Sequence, residues 1–157
     1  MSNGKYFMKL NRKMQVLLVL WIILFLGTTA AGAERMAVSV PEANMRSGPG
    51  MQYDALWKAE QFTPLEVMDK DTTGEWLFFK DFEGTKAWVN KLLVGKIDTV
   101  ITKNDLCNIR KEPSTNADVM FKAERGVPFK VVKRQKEWIQ IQHADGDIGW
   151  INKDLVW

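Results

Sequence analysis

The stretch Asn44-Met45-Arg46-Ser47-Gly48-Pro49-Gly50 returns later in the chain as Asn108-Ile109-Arg110-Lys111-Glu112-Pro113-Ser114. Beyond it, Leu56-Trp57-Lys58-Ala59-Glu60 matches Met120-Phe121-Lys122-Ala123-Glu124, and Trp76 matches Trp138. Further on, Trp88-Val89-Asn90-Lys91 matches Trp150-Ile151-Asn152-Lys153. The offset is 64 residues at the first stretch and 62 at the tryptophans. Such a period exceeds the roughly 20 to 50 residues of solenoid units, so each copy is expected to be a small domain rather than a stacking layer. Two copies of one module point to binding rather than catalysis.

Within each copy the signals are those of short strands and turns. Leu65-Glu66-Val67-Met68 alternates as a half-buried strand does, and so does its counterpart Phe129-Lys130-Val131-Val132. A polar turn over 69–75 follows, shortened by two residues to 133–137 in the second copy. Trp76-Leu77-Phe78-Phe79-Lys80 then corresponds to Trp138-Ile139-Gln140-Ile141-Gln142. Hairpin turns ending in Gly84 and Gly146 lead into Ala87-Trp88-Val89 and Gly149-Trp150-Ile151. No segment past the first 33 residues sustains an apolar period near 3.6, and the one helical turn expected in each copy follows Asn90 or Asn152, which can cap it. The fold class is therefore all-β, with about five or six strands per copy closing into a small barrel that protects its edges. A domain of roughly 60 residues is marginal alone, and packing of the copies against each other would help.

Residues 1–33 have the layout of a secretory signal. Lys5, Lys9, Arg12 and Lys13 precede an apolar run over 16–26, and Ala31-Gly32-Ala33 offers a small-x-small cleavage site. Cleavage after Ala33 is expected, because the apolar run is shorter than the roughly 18 to 20 residues a membrane-spanning helix needs; an uncleaved anchor is the alternative. The expected domains are the leader at 1–33, copy one at 34–95 and copy two at 96–157. Four of the 22 Lys and Arg lie in the leader and none of the 19 acids does, so the net charge of +3 becomes slightly negative on cleavage. Nucleic-acid binding loses its support, since neither copy carries a basic stripe. Cys107 is the single cysteine and matches Ala43, so it is expected to fill a small, partly buried position.

The motif from Asn44 to Gly50, the isolated Trp76, and the close Gly84-Thr85-Lys86-Ala87-Trp88-Val89 resemble the bacterial SH3-like (SH3b) domain, in two tandem copies. The resemblance implies the cell envelope, where such modules attach to peptidoglycan or its peptides, often beside a wall-cutting enzyme. Copy two departs from the motif by replacing Ser47-Gly48-Pro49-Gly50 with Lys111-Glu112-Pro113-Ser114. Loss of two glycines removes backbone freedom there, which weakens any recognition role for that loop.

An inventory of reactive groups argues against an enzyme. One Cys and one His, Cys107 and His143, fall in opposite regions of copy two and have no match in copy one. No Cys and His cluster has zinc spacing, no carboxylates form a calcium loop, and no phosphate-binding glycine loop occurs, so no metal and no cofactor is expected. What remains is aromatic surface. Strand alternation sets Trp76 and Phe78 on one face and Leu77 and Phe79 on the other. Copy two has Gln140 in place of Phe78, and an amide is rarely buried, so the Trp76 and Phe78 face is expected outward.

Phe82 aligns with Ala144 and Tyr53 with Ala117, which leaves copy one with three aromatics that copy two lacks. The candidate ligand-binding residues are Arg46, Tyr53, Trp76, Phe78 and Phe82, forming a shelf for a sugar ring or short peptide with Arg46 as a carboxylate partner. Two alternatives stand beside it: the aromatics glue the copies together, and Arg46, matched by Arg110, ties its loop down. Trp57, Phe121, Trp88 and Trp150 are expected to be packing residues. The expected protein is a secreted, non-enzymatic component of the periplasm or cell envelope. Its partner would be a cell-wall glycan or peptide, or an envelope protein if it is an adaptor, with no membrane contact after leader cleavage.

Overall fold

The computed structural model describes residues 34–157. The expected signal helix and its cleavage point lie outside the described residues. Copy one contributes β1 (Glu34–Val38), β2 (Glu42–Arg46), β3 (Ala55–Glu60), β4 (Pro64–Lys70), β5 (Trp76–Lys80), β6 (Lys86–Asn90), a 3₁₀ turn (Lys91–Leu93) and β7 (Val94–Gly95). Copy two contributes β8 (Thr99–Ile101), β9 (Leu106–Arg110), β10 (Val119–Glu124), β11 (Pro128–Gln135), β12 (Trp138–Gln142), β13 (Ile148–Asn152) and a second 3₁₀ turn (Lys153–Leu155). All strand pairs are antiparallel, in the orders β3-β2-β6-β5-β4-β1-β7 and β10-β9-β13-β12-β11-β8. The second order lacks a counterpart of β7 in name only. Ile101 and Trp157 exchange backbone hydrogen bonds of 3.2 and 2.9 Å, and Thr102 bridges Val156. The all-β, two-copy architecture is as the repeat implies.

Alternation carries the core. Leu77 and Phe79 of β5, Ala87 and Val89 of β6, and Ala43 and Met45 of β2 are buried in one cluster. Ile139, Ile141, Ile151, Cys107 and Ile109 occupy the equivalent places in a second cluster. Each 3₁₀ turn is capped by its asparagine: Asn90 Oδ1 accepts from the Leu92 N–H and Asn152 Oδ1 from the Asp154 N–H, both at 2.9 Å. Bulges recur at matched positions, so that Leu56 and Met120 are extra residues in β3 and β10, and Met68 and Val132 in β4 and β11. All four side chains are exposed, since a bulged residue drops out of the alternation that points its neighbours inward.

Two turns show an exchange between the copies. Before β4, Phe62 takes φ of 71° where copy two places Gly126, at 85°. In the β4–β5 and β11–β12 tips the exchange is reversed, with Gly74 at 74° and Lys136 at 52°. A bulky residue with positive φ is strained, because its Cβ crowds the adjoining carbonyl.

The two sheets belong to one compact unit. The Arg35 guanidinium of copy one lies 4.1 Å from the centre of the Trp157 ring. Arg125 of copy two reaches Glu83 at 3.2 Å, and Arg134 grips Asp98 of the connector at 2.7 Å. A cavity of 610 Å³ opens beside the connector, with Met36 and Pro64 on one wall and Val100, Ile139 and Trp157 on the other.

Candidate ligand surfaces

The loop after β2 is built around Arg46. Its Nη1 donates to the carbonyls of Tyr53 at 2.7 Å and Met51 at 3.4 Å, while the Ser47 N–H bonds the Asp54 carbonyl at 3.0 Å. Copy two repeats this: Arg110 Nη1 donates to the Ala117 carbonyl at 2.7 Å and Lys111 N–H to Asp118 at 3.0 Å. Arg46 thus fastens its loop through Nη1, as a guanidinium that satisfies backbone acceptors. Gly48 is required for space rather than for backbone freedom, since a Cβ there would sit 2.4 Å from the Tyr53 ring. That explains the altered motif of copy two: Ala117 replaces Tyr53, so Glu112 fits where Gly48 stands, and the loop keeps its hydrogen bonds without the glycines. Tyr53 itself is 41% exposed, as a surface aromatic should be to meet a ligand.

The expected shelf is dispersed over three places. Trp76 is buried, against the expectation that it faces outward to solvent. Alternation reports which way a side chain points, not what lies over that face. Trp76 opens β5 at the foot of a hairpin tip two residues longer than the one beside Trp138, which is half-buried. Asp71 draws the tip back, accepting from the Trp76 N–H at 2.9 Å and the Thr73 hydroxyl at 2.5 Å. Those bonds hold its carboxyl below the ordinary range, the Thr73 hydroxyl contributing most.

Phe78 is half-buried rather than exposed, because its cross-strand neighbour Trp88 packs on it with ring centres 5.0 Å apart and a 38° tilt. Trp88 pairs in turn with Arg46. One outer row therefore runs Phe78, Trp88, Arg46, and Arg46 continues it to the Tyr53 loop. Phe82 leaves the row altogether and meets copy two, with the Arg125 guanidinium 5.4 Å from its ring centre.

Both copies carry a groove between the third strand and the last hairpin. In copy one Trp57, Leu65 and Phe79 line it, and the β10–β11 turn of copy two closes over it, leaving 430 Å³. In copy two Phe121 and Phe129 line a groove of 400 Å³ whose walls all belong to copy two, with His143, Asp145 and Asp147 on the rim. Aromatic count alone points neither to the open groove nor to Phe62. A usable signal was present: Phe62 stands two residues before Pro64 where Gly126 stands two before Pro128.

Residues 39–96 and 103–157 each match the bacterial SH3 domain family. The chain belongs to that family. A relative named "Putative N-acetylmuramoyl-L-alanine amidase YrvJ", from Bacillus subtilis (strain 168), is 27% identical over 164 residues, covering 94% of this chain and 31% of that protein. The SH3 pair thus spans less than a third of that relative. Among solved structures, an NlpC/P60 family protein from Bacillus cereus ATCC 10987 shares 10% identity over 79% of this chain and 56% of its own length, with a TM-score of 0.37. NlpC1 from Trichomonas vaginalis shares 11% over 83% of this chain and 47% of its own length, with a TM-score of 0.36.

The Cys107 thiol is fully buried in the second core, and burial pushes its pKa up, which leaves it a small apolar filler. His143 Nδ1 lies 2.8 Å from Asp145, and this contact, with the Asp147 N–H, holds the Asp145 carboxyl low. Among the described residues no three of His, Cys, Asp and Glu converge as a metal would require.

Proposed function

We propose that this chain is an exported, non-enzymatic protein of the cell envelope that binds peptidoglycan or its peptides through copy one. The observation that carries the reading is the outer row of Phe78 and Trp88, continued through Arg46 to the exposed Tyr53. A tilted aromatic pair offers a flat apolar face to a sugar ring or a peptide bond, and the Arg46-fastened loop sets a wall beside it without having to order on binding. Copy two has Gln140 and Ala117 at the matching places, so the row belongs to copy one alone. Membership of the bacterial SH3 family supports a wall-associated role, and so does likeness to a protein named as an N-acetylmuramoyl-L-alanine amidase.

The test is co-sedimentation with purified peptidoglycan. The protein pellets with the wall, and Phe78→Gln, which installs the copy-two residue, releases it to the supernatant while it stays folded, its melting temperature falling only by the loss of one cross-strand aromatic pair. Equal pelleting of both proteins contradicts the proposed site, and no pelleting of either contradicts the function. The adaptor reading is favoured by one observation, the open groove of copy two. Cross-linking in cells separates the two readings, since discrete protein adducts support an adaptor and polydisperse glycan adducts support wall binding.

A further inference from the structure

We propose that the open groove of copy two receives the β3–β4 turn of copy one from a second molecule of this chain, so that molecules join head to tail. The inference does not depend on wall binding. It starts from the contact between the two copies of one chain, where the β10–β11 turn seats on the copy-one groove. There Gly126 lies beside Phe82, where a Cβ on the glycine would make van der Waals contact with the ring's Cζ at 3.7 Å, and Arg125 pairs with Glu83 on the rim. The groove on copy two is built from matched residues, with Phe121 for Trp57 and Phe129 for Leu65, and among the described residues no turn of the other copy lines it.

Bulk is exchanged across this contact. Phe62 stands where Gly126 stands, and Ala144 stands where Phe82 stands. A groove whose rim has lost an aromatic is matched by a turn that has gained one, so the same docking would bring Phe62 onto the space beside Ala144. Gln61, the counterpart of Arg125, would then face Asp145, the counterpart of Glu83, as a neutral amide donor to a carboxylate. Phe62 holds this place at φ of 71°, a conformation that favours the glycine found in copy two. A strained bulky residue persists where a contact makes use of it.

The groove and the turn are different surfaces, so the contact is heterologous. Each molecule keeps one free turn and one free groove, and association produces open chains or rings rather than a symmetric dimer.

Sedimentation velocity of the purified protein over a concentration series tests this. Mass rises with concentration in the parent protein. Phe62→Gly, which removes the insert and relieves the backbone, and Ala144→Phe, which fills the groove, each sediment as monomers at concentrations where the parent is mostly assembled, with melting temperatures that confirm folding. Mixed together they form a dimer that grows no further, because one supplies a groove and the other a turn. A parent protein that stays monomeric throughout overturns the proposal. So does association that survives either substitution by more than a tenth of its strength, or a mixture of folded variants that stays monomeric.

Discussion

Copy one and copy two share a scaffold and differ in what they put on it. What is kept is directed at the backbone: Arg46 and Arg110 fasten the same loop, and Asn90 and Asn152 cap the same turn. What has changed has changed in sets. Gly48 with Tyr53 becomes Glu112 with Ala117, and Met45 and Ala87 of the first core become Ile109 and Gly149, where a Cβ on the glycine would stand 2.5 Å from Ile109 Cγ2. The lesson is that a duplicated β-barrel diverges by exchanging volume between touching residues while the polar ties hold the frame still. The matched tyrosine-free loop of copy two keeps its shape, so the outer aromatic row of copy one is an addition to the frame and not part of it.

The largest expected effect lies in the core. Gly149→Ala is expected to destabilise by about 2 kcal/mol through overpacking against Ile109 and the Arg110 carbonyl, which would lie 3.2 Å from the new Cβ. Adding Ile109→Met, which recreates the copy-one set, should recover most of the loss in chemical denaturation. If the second change recovers nothing, the exchanged pairs are not coupled.

Next in size are the loop ties. Arg46→Ala and Arg110→Ala are each expected to lose about 1 to 2 kcal/mol, the worth of a charged donor on a partly solvated carbonyl. Equal losses mark a shared frame role. A stable Arg46→Ala protein that no longer binds wall would instead restore Arg46 as a direct carboxylate partner.

A smaller effect is expected at the motif itself. Gly48→Ala in the parent should cost about 1 kcal/mol by displacing the Tyr53 ring, and almost nothing in a Tyr53→Ala background. The double-mutant cycle in urea measures that coupling, and additive losses would show that the glycine is needed for some reason other than Tyr53.

The least effect is the acid dependence of the β4–β5 tip. The Asp71 carboxyl is held below its unfolded value, so its contribution is present above that value, near pH 4, and is lost as pH falls through the folded one. Melting temperatures from pH 6 to pH 2 should fall less steeply in Asp71→Ala than in the parent. Parallel curves would mean the hydrogen bonds to Thr73 and Trp76 do not distinguish the charged carboxyl.

Much of this was legible from residues. The repeat placed β4, β5 and β6 beside their counterparts β11, β12 and β13, and alternation in Trp76-Leu77-Phe78-Phe79 placed Leu77 and Phe79 in the core. Both are local properties of the chain. What alternation could not convey is cover. Trp76 is buried beside its own hairpin tip, Phe78 is half hidden by Trp88, and Phe82 is taken up by Arg125, which lies 43 residues further along the chain. Gly48 misled for a related reason, because its need for space comes from the ring of Tyr53 rather than from its own backbone angles. The fold thus brings Arg46, Tyr53 and Phe78 of the candidate shelf together and sets Trp76 and Phe82 apart from them.

The most direct test of the account is amide chemical-shift mapping of the protein titrated with soluble peptidoglycan fragments. Shifts concentrated on Tyr53, Phe78 and Trp88, with Ala117, Gln140 and Trp150 unmoved, are the predicted result. Shifts centred on copy two, or spread equally over the matched residues of both copies, would contradict it.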